Sequence, residues 1–310
     1  MPRVSVIIPT HNRPGDVVKA VQSVFAQTFH DLEALVVVDG GSPETLAALH
    51  GISDDRLTVI VNEVALGNAE ARNVGIRAAG GDLIALLDDD DLWMPEKLRL
   101  QVEAFDARGH DRAIVCCHFR LLGETQDLVF PRRRPRAGEP ISDYIFCRDR
   151  SLGTEGAIQT SCILAPRSLF EEVPFDKDLP RLVDRDWLLR AGEARAEVIF
   201  PDTDEVLSIY AVHDARSRVS HSLRWRWQQE WAEERRALFT DRSFAGFLLT
   251  AASQTASLEG QRSAFWPLLK AAYAGGRPSV AEVAIHAGKH AVPAGVEQRV
   301  ASWLEKRGSK

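Results

Sequence analysis

The chain lacks the features that mark several large protein classes. It has four cysteines in 310 residues, Cys116, Cys117, Cys147 and Cys162, and none forms a C-x-x-C pair or a zinc-ligand spacing. That excludes a disulfide-stapled scaffold and predicts reduced, buried thiols. There is no basic surplus. Lys and Arg number 38 against 44 Asp and Glu, a net charge of −6, which excludes a general nucleic-acid binder. No apolar run approaches the roughly 18 residues of a membrane-spanning helix. Met1-Pro2-Arg3 leads into an apolar segment with no signal-peptide core. We therefore expect a cytoplasmic protein without a transmembrane segment. A G-x-x-x-x-G-K-[ST] loop is missing, which excludes a P-loop ATPase, and so is the G-x-G-x-x-G dinucleotide fingerprint.

What is present is an alternation of two periodicities. Residues 4–8, 35–38, 57–61 and 83–87 are short, nearly continuous apolar runs, the pattern of strands buried on both faces. Between them, Val17, Val18, Val21, Val24 and Phe25 recur at helical spacing, and residues 43–50 and 69–79 also read as helices, the last stopped by Gly80-Gly81. Strands alternating with helices predict a parallel sheet covered on both faces, with ligands at the carboxyl ends of its strands. Pro9-Thr10-His11-Asn12, Asp39 and Asp88-Asp89-Asp90-Asp91 all fall at such ends. Further strands are expected at 114–119, 198–200 and 206–210, and a helix opens near Asp184. From residue 222 the chain is rich in Ala, Leu, Trp, Glu and Arg at helical spacing. We expect one domain over 1–220, with halves 1–105 and 106–220, and a helical region over 221–310.

The acidic run carries the chemistry. Four adjacent carboxylates after a wholly apolar strand raise one another's pKa and oppose folding unless a cation or water relieves them. Hard oxygen ligands at an open edge suit Mn2+ or Mg2+ bridging to phosphate. The plainer alternative is an acidic turn capping a helix over 93–102, opened by Pro95.

Several ordered segments resemble family 2 glycosyltransferases of the GT-A fold. They are Val4-Ser5-Val6-Ile7-Ile8-Pro9-Thr10-His11-Asn12-Arg13, Gln27-Thr28-Phe29, Val38-Asp39-Gly40-Gly41-Ser42, Gly67-Asn68-Ala69-Glu70-Ala71-Arg72-Asn73-Val74-Gly75, and Leu87-Asp88-Asp89-Asp90-Asp91-Leu92-Trp93 followed by Pro95-Glu96-Lys97-Leu98. The match covers about the first 105 residues closely and weakens toward 220. It implies an α/β GT-A nucleotide-sugar-binding fold, a mostly parallel sheet between helices, with a helical C-terminal region.

The implied activity is metal-dependent, inverting sugar transfer from a nucleotide-diphosphate sugar to an acceptor hydroxyl, in polysaccharide, glycolipid or natural-product glycoside synthesis. A UDP-sugar comes first as donor, then a dTDP- or GDP-sugar. The acceptor is a glycan, a lipid-linked glycan or a small molecule. The family D-x-D pair maps onto Asp88 and Asp90, with Asp90 the metal ligand and Asp88 toward the ribose or sugar. Asp91 supports them, and Asp89 is the spacer among the donor contacts. Pro9, Thr10, His11 and Asn12 would line the nucleoside pocket, Arg72 the base or phosphates, and His213 the metal or diphosphate.

Asp39 is the expected reader of the base. The usual second acidic residue beside it is replaced by Gly40, which leaves the base open. In Leu182-Val183-Asp184-Arg185-Asp186-Trp187-Leu188-Leu189-Arg190 the resemblance places the catalytic base on Asp184, with Asp186 as runner-up and Val183 in place of a glutamate. Arg216, Ser217, Arg218 and Ser220 suggest a lid or an ordinary loop. Trp225, Trp227 and Trp231, with Arg224, Arg226, Arg235 and Arg236, suggest a packed amphipathic helix or a face that meets the inner side of a membrane, a partner subunit or a carrier-linked acceptor. The rival readings are a sugar nucleotidyltransferase, disfavoured because its G-x-G-T-R loop is missing, and a silent sugar-nucleotide-binding protein.

Overall fold

The computed structural model describes residues 1–109, 111–123, 127–148, 155–212 and 224–291. Their contacts divide into two compact units. One comprises Met1–Arg134 and Ile158–Asp214, the other Pro135–Ala157 and the chain from Ala215 onward. The single boundary expected near residue 220 thus becomes several crossings, because Pro135–Ala157 clusters with the C-terminal helices.

The first unit is built around β1 (Val4–Thr10), buried along its whole length. It pairs in parallel with β2 (Leu32–Asp39) on one side and β4 (Leu83–Leu86) on the other, and β2 pairs in parallel with β3 (Leu57–Asn62). The helices between these strands follow the apolar spacing. In α1 (Pro14–Phe25) proline opens the first turn, and Val17, Ala20, Val21 and Val24 form the buried stripe. The hydroxyl of Ser42 caps α2 (Pro43–His50) by accepting from the Thr45 amide. The next helix, α3 (Asn68–Ala78), buries Arg72 and Asn73 along with its apolar positions.

The seven-stranded sheet runs in the order β10-β6-β9-β4-β1-β2-β3, completed by β6 (Ala113–Val115), β9 (Leu164–Pro166) and β10 (Glu197–Ile199). Only β9 runs antiparallel to its neighbours β4 and β6, so the sheet is mostly parallel, as expected. A second sheet orders β5 (Leu92–Trp93), β11 (Val206–Val212), β7 (His118–Gly123) and β8 (Asp127–Phe130).

Two expectations fail here for physical reasons. The strand predicted over 114–119 is two strands in two sheets, broken at Cys116-Cys117, where the chain leaves one sheet for the other. The helix predicted from residue 93 begins instead at Lys97, as α4 (Lys97–Arg108), because Leu92-Trp93 pairs with Ser208 and Ile209 of β11. Trp93 is also held by its indole N–H, which donates to the Ser161 carbonyl at 2.8 Å. Lys97 is wholly buried, donates to Gln101 Oε1 at 2.6 Å, and lies 3.8 Å above the Trp93 ring. Lys97 thus packs against Trp93, the residue that ends the short strand after the acidic run.

The second unit is helical: α5 (Ile141–Phe146), α8 (Trp225–Glu234), α9 (Asp241–Gly246), a π-helical turn at Phe247–Ala252, α10 (Ser253–Leu258), α11 (Phe265–Gly275) and α12 (Val280–Ala291). Its core is aromatic. Phe146, Trp231, Phe239 and Phe247 pack ring against ring at 5.1–5.9 Å. Trp225 and Trp231 are buried and Trp227 is half-buried, so most of this tryptophan cluster is core. No helix of the described residues is long and apolar enough to cross a membrane.

Candidate active site

The polar edge forms where β4, β1 and β2 end side by side. Thr10 closes β1, Asp39 closes β2, and the chain leaving β4 carries Asp88 to Asp91. Asp89 turns inward. Its Oδ2 accepts from Thr10 Oγ1 at 2.7 Å and its Oδ1 from Arg13 Nη1 at 2.8 Å. The same Arg13 nitrogen donates to Asp90 Oδ2, also at 2.8 Å. The residue expected to be a spacer is therefore the latch between β1 and the acidic run. Burial pushes its carboxyl up to about 6, with Arg13 and Thr10 opposing and the neighbouring Asp90 and Asp88 adding.

Asp91 is buried deeper still, at 0% exposure. Its Oδ2 accepts from Ser161 Oγ at 2.6 Å and from Gln159 Nε2 at 2.5 Å. Its Oδ1 is buried without a partner among the described residues. Burial first, then the Asp88 charge, holds this acid well above the ordinary carboxylate range. The Ser161 hydroxyl also accepts from the Asp88 amide at 3.0 Å, so one side chain ties the two ends of the run together.

Asp88 and Asp90 face outward, their side chains 25% and 26% exposed. Asp88 Oδ1 accepts from Arg72 Nη2 at 2.5 Å. Arg72 is itself buried in α3, its guanidinium 5.5 Å from the Phe175 ring, so the cation is fixed before any ligand arrives. Each of the two outward acids meets one arginine through one oxygen and keeps its second oxygen clear of hydrogen bonds among the described residues. Hard oxygens of this kind are the donor type that suits Mg2+ or Mn2+. No group of three or more His, Cys, Asp or Glu among the described residues is arranged to hold a metal. The third expected ligand, His213, lies outside the described residues, as do Arg216, Ser217, Arg218 and Ser220.

Asp39 is occupied. Its Oδ1 accepts from Asn62 Nδ2 and the Leu66 amide, both at 2.9 Å, and its Oδ2 from the Gly67 amide at 2.8 Å. It clamps the segment leading into α3 against β2, and it is only 6% exposed. Beside it, Gly40 has φ +93°, and a side chain there would come within 3.2 Å of the His11 ring. His11 Nδ1 lies 2.5 Å from the Asp39 carbonyl. A carbonyl can only accept, so Nδ1 carries the proton and Nε2 accepts from Asn12 Nδ2 at 3.1 Å. His11 and Asn12 are exposed at this edge, whereas Pro9 is buried inside β1 opposite Val37.

The remaining acids stand at the start of α7 (Val183–Glu193), which opens from Leu182 at φ 57°. Asp186 is 0% exposed and accepts from Arg190 Nε at 2.7 Å, one turn on. Asp184, in the same first turn, is half-buried, and its carboxylate has no hydrogen bond among the described residues. The partners that sequence reasoning missed are Arg13, Asn62, Gln159 and Ser161. Arg13 stood within a quoted motif. Gln159 and Ser161 sit around a three-residue turn, Thr160–Cys162, that carries no periodic signal.

The glycosyl transferase family 2 model matches residues 5–173. The amylovoran biosynthesis glycosyltransferase AmsB of Erwinia amylovora is 29% identical over 198 residues, covering 61% of this chain and 64% of the relative. An Escherichia coli enzyme, UDP-Glc:alpha-D-GlcNAc-diphosphoundecaprenol beta-1,3-glucosyltransferase, is 38% identical over 99 residues, 32% of this chain and 39% of the relative. The chain thus spans less than two thirds of the length of each. Among solved structures, a Pyrobaculum calidifontis mannosyltransferase in complex with GDP-Man and Mn2+ matches with TM-score 0.60 at 19% identity, covering 98% of this chain and 84% of that one. The S. aureus TarS fragment 1–349 in complex with UDP-GlcNAc matches with TM-score 0.58 at 17% identity, over 87% and 81%. These likenesses establish the GT-A fold. With the family model matched over residues 5–173 and its motifs gathered on one sheet edge, the chain belongs to glycosyl transferase family 2.

Proposed function

We propose that this family member transfers a sugar from a nucleotide-diphosphate sugar to an acceptor hydroxyl, with inversion, in polysaccharide or lipid-linked glycan synthesis. The observation that carries this reading is the outward pair Asp88 and Asp90, each with one free oxygen and each backed by an arginine, at the edge that also presents His11 and Asn12. Asp90 and Asp88 would hold Mn2+ or Mg2+, which supplies charge neutralisation on the departing diphosphate. Arg72 holds Asp88 in place and adds a permanent positive charge beside the phosphates. His11 and Asn12 border the nucleoside.

Asp184 takes the proton of the acceptor hydroxyl as that oxygen attacks the anomeric carbon. The bond from that carbon to the diphosphate oxygen breaks, and the diphosphate leaves with the electron pair. The free carboxylate of Asp184 favours it over Asp186, whose charge is committed to Arg190. Asp184 stands in the first turn of α7, facing the positive end of the helix dipole.

Asp39 accepts three hydrogen bonds from the protein and keeps one acceptor position on Oδ2, so base selection is shared between Asp39 and the exposed His11 and Asn12. A UDP-sugar remains the first donor to try, since a matched structure holds UDP-GlcNAc, and a GDP-sugar the second, since another holds GDP-Man. The acceptor class follows the relatives, whose names place them in amylovoran synthesis and on a GlcNAc-diphosphoundecaprenol. The expected setting is cytoplasmic. The test is a thermal-shift screen of UDP-, dTDP-, GDP- and CDP-sugars with and without Mn2+. A raised unfolding midpoint with one nucleotide class, present only with the metal, is the expected outcome. No shift with any of them sinks the proposal.

A further inference from the structure

The helical unit carries an outward stripe of aromatic and cationic side chains that its own packing does not explain. Its large hydrophobic side chains left exposed among the described residues are Leu258 at 61%, Trp266 at 63%, Tyr273 at 61% and Val280 at 88%. Two of them lie on α11 and the other two close the helix before it and open the helix after it.

The two faces of α11 differ sharply. Leu268 and Ala272 are 0% exposed, and a side chain at Gly275 would come within 2.8 Å of the Phe244 ring, so the inner face is fixed against the unit's core. On the outer face, Trp266, Lys270 and Tyr273 follow one another at four and three residues, an arc of about 60° at 3.6 residues per turn. Arg262 lies one turn earlier and Arg277 just beyond the helix end, both exposed. Residues 262–277 contain three basic residues and no Asp or Glu, in a chain whose net charge is −6. Arg277 meets Asp241 at 3.3 Å, whereas Arg262 and Lys270 have no ion-pair partner among the described residues.

This combination has a specific physical meaning. Trp and Tyr pair an apolar ring with a polar atom and favour the boundary between hydrocarbon and water. Basic residues at the same level are drawn to anionic headgroups. A second copy of the same face would bring cations against cations, which opposes self-association. We propose that the outer face of α11 docks the helical unit onto an anionic lipid surface. Trp266 and Tyr273 sit at headgroup depth, and Arg262, Lys270 and Arg277 meet lipid phosphates. Leu258 and Val280 extend the apolar contact at either end. The proposal is independent of the sugar-transfer reading, since it needs neither donor nor acceptor.

The test is co-sedimentation of the full chain with vesicles of phosphatidylcholine, alone or mixed with phosphatidylglycerol. The chain should pellet with the mixed vesicles only, less so as salt rises. The double variant Trp266→Ala/Tyr273→Ala should lower that partition about tenfold or more, and Lys270→Glu should weaken it in the same direction. Lys270 is exposed, so its replacement tests the surface even if the aromatic variant folds poorly. Failure of the wild type to bind mixed vesicles, equal binding to neutral ones, or full binding by both variants overturns the proposal. So does a dimer in sedimentation velocity that the same substitutions disperse without any vesicle partition.

Discussion

Buried and half-buried charge is handled in opposite ways at two places, around Glu282 and His286 of the helical unit and around the acidic run of the sheet unit. In the helical unit Glu282 and His286 are met on every side-chain polar atom, although Gln228 Oε1, Trp231 Nε1 and both ring nitrogens of His290 are buried without a partner among the described residues. Glu282 is 0% exposed; its Oε1 accepts from the Arg148 amide at 2.9 Å and its Oε2 from the Ser279 amide at 2.7 Å and Arg242 Nη1 at 3.1 Å. His286, also 0% exposed, bonds to Ser253 Oγ at 2.9 Å and to the Phe265 carbonyl at 3.0 Å, so both its nitrogens are satisfied. In the sheet unit the accounting is left open. Asp88 and Asp90 each keep an oxygen free, Asp184 keeps both, and Asp91 Oδ1 is buried without a partner among the described residues. A closed network of polar groups specifies a fold. An open one at a strand end is capacity held for a ligand, which is why the acids of the sheet edge are read as a site and Glu282 is not.

The contrast can be broken in order of expected effect. If Asp184 is open because it takes a proton, Asp184→Asn should reduce turnover by about 10²–10⁴-fold while the donor-induced thermal shift persists. Turnover near the wild-type rate would remove Asp184 from the mechanism. If Asp90 is open for a metal, Asp90→Ala should abolish the Mn2+-dependent part of that shift with little change in the ligand-free midpoint. An unchanged Mn2+ titration of the variant would remove the metal role.

On the closed side, Glu282→Ala removes the acceptor of the Arg148 and Ser279 amides and the carboxylate that meets Arg242. It should lower stability by about 3 kcal/mol in denaturant titration without altering donor binding. A loss below about 0.5 kcal/mol would mean that the network is not closed as described.

The smallest expected effect is in pH dependence. Burial pushes His286 down to about 4, with the Phe265 carbonyl opposing. A depressed imidazole folds neutral, so the stability it contributes is intact above its unfolded value near 6.5 and declines as pH falls toward 4. Between pH 7 and pH 5 the chain should lose about 2 kcal/mol through this group, and His286→Gln should flatten that slope. An unaltered slope would place the acid sensitivity elsewhere.

Much of this was legible in the sequence, though unevenly. Strands β1 to β4 announced themselves because each is a buried apolar run ended by a polar cluster, and α1 to α3 because tertiary packing agrees with their periodicity. Strands β6, β9 and β10 are three residues each, too short for any period, and their pairing is set by partners far along the chain. Trp93 read as helix by local propensity and was taken by β11 instead. In the C-terminal region the clustered tryptophans Trp225 and Trp231 are core, while Trp266 and Tyr273, which stand outside that cluster, are exposed. Helical spacing shows that a helix has faces, but not which neighbour covers them.

The acidic run shows the same division at the scale of single atoms. By itself the sequence determined that four carboxylates follow a buried strand, that a family pattern surrounds them, and that a cation or water has to relieve them, because adjacent like charges destabilise one another. Only the tertiary structure decided that Asp89 latches onto Thr10 and Arg13, that Asp91 sinks onto Ser161, and that Asp88 and Asp90 face outward. It likewise decided that Asp39 holds the loop before α3. The physical reason is that a carboxylate's role depends on its burial and on donors brought from 70 or more positions away, as Ser161 is brought to Asp91.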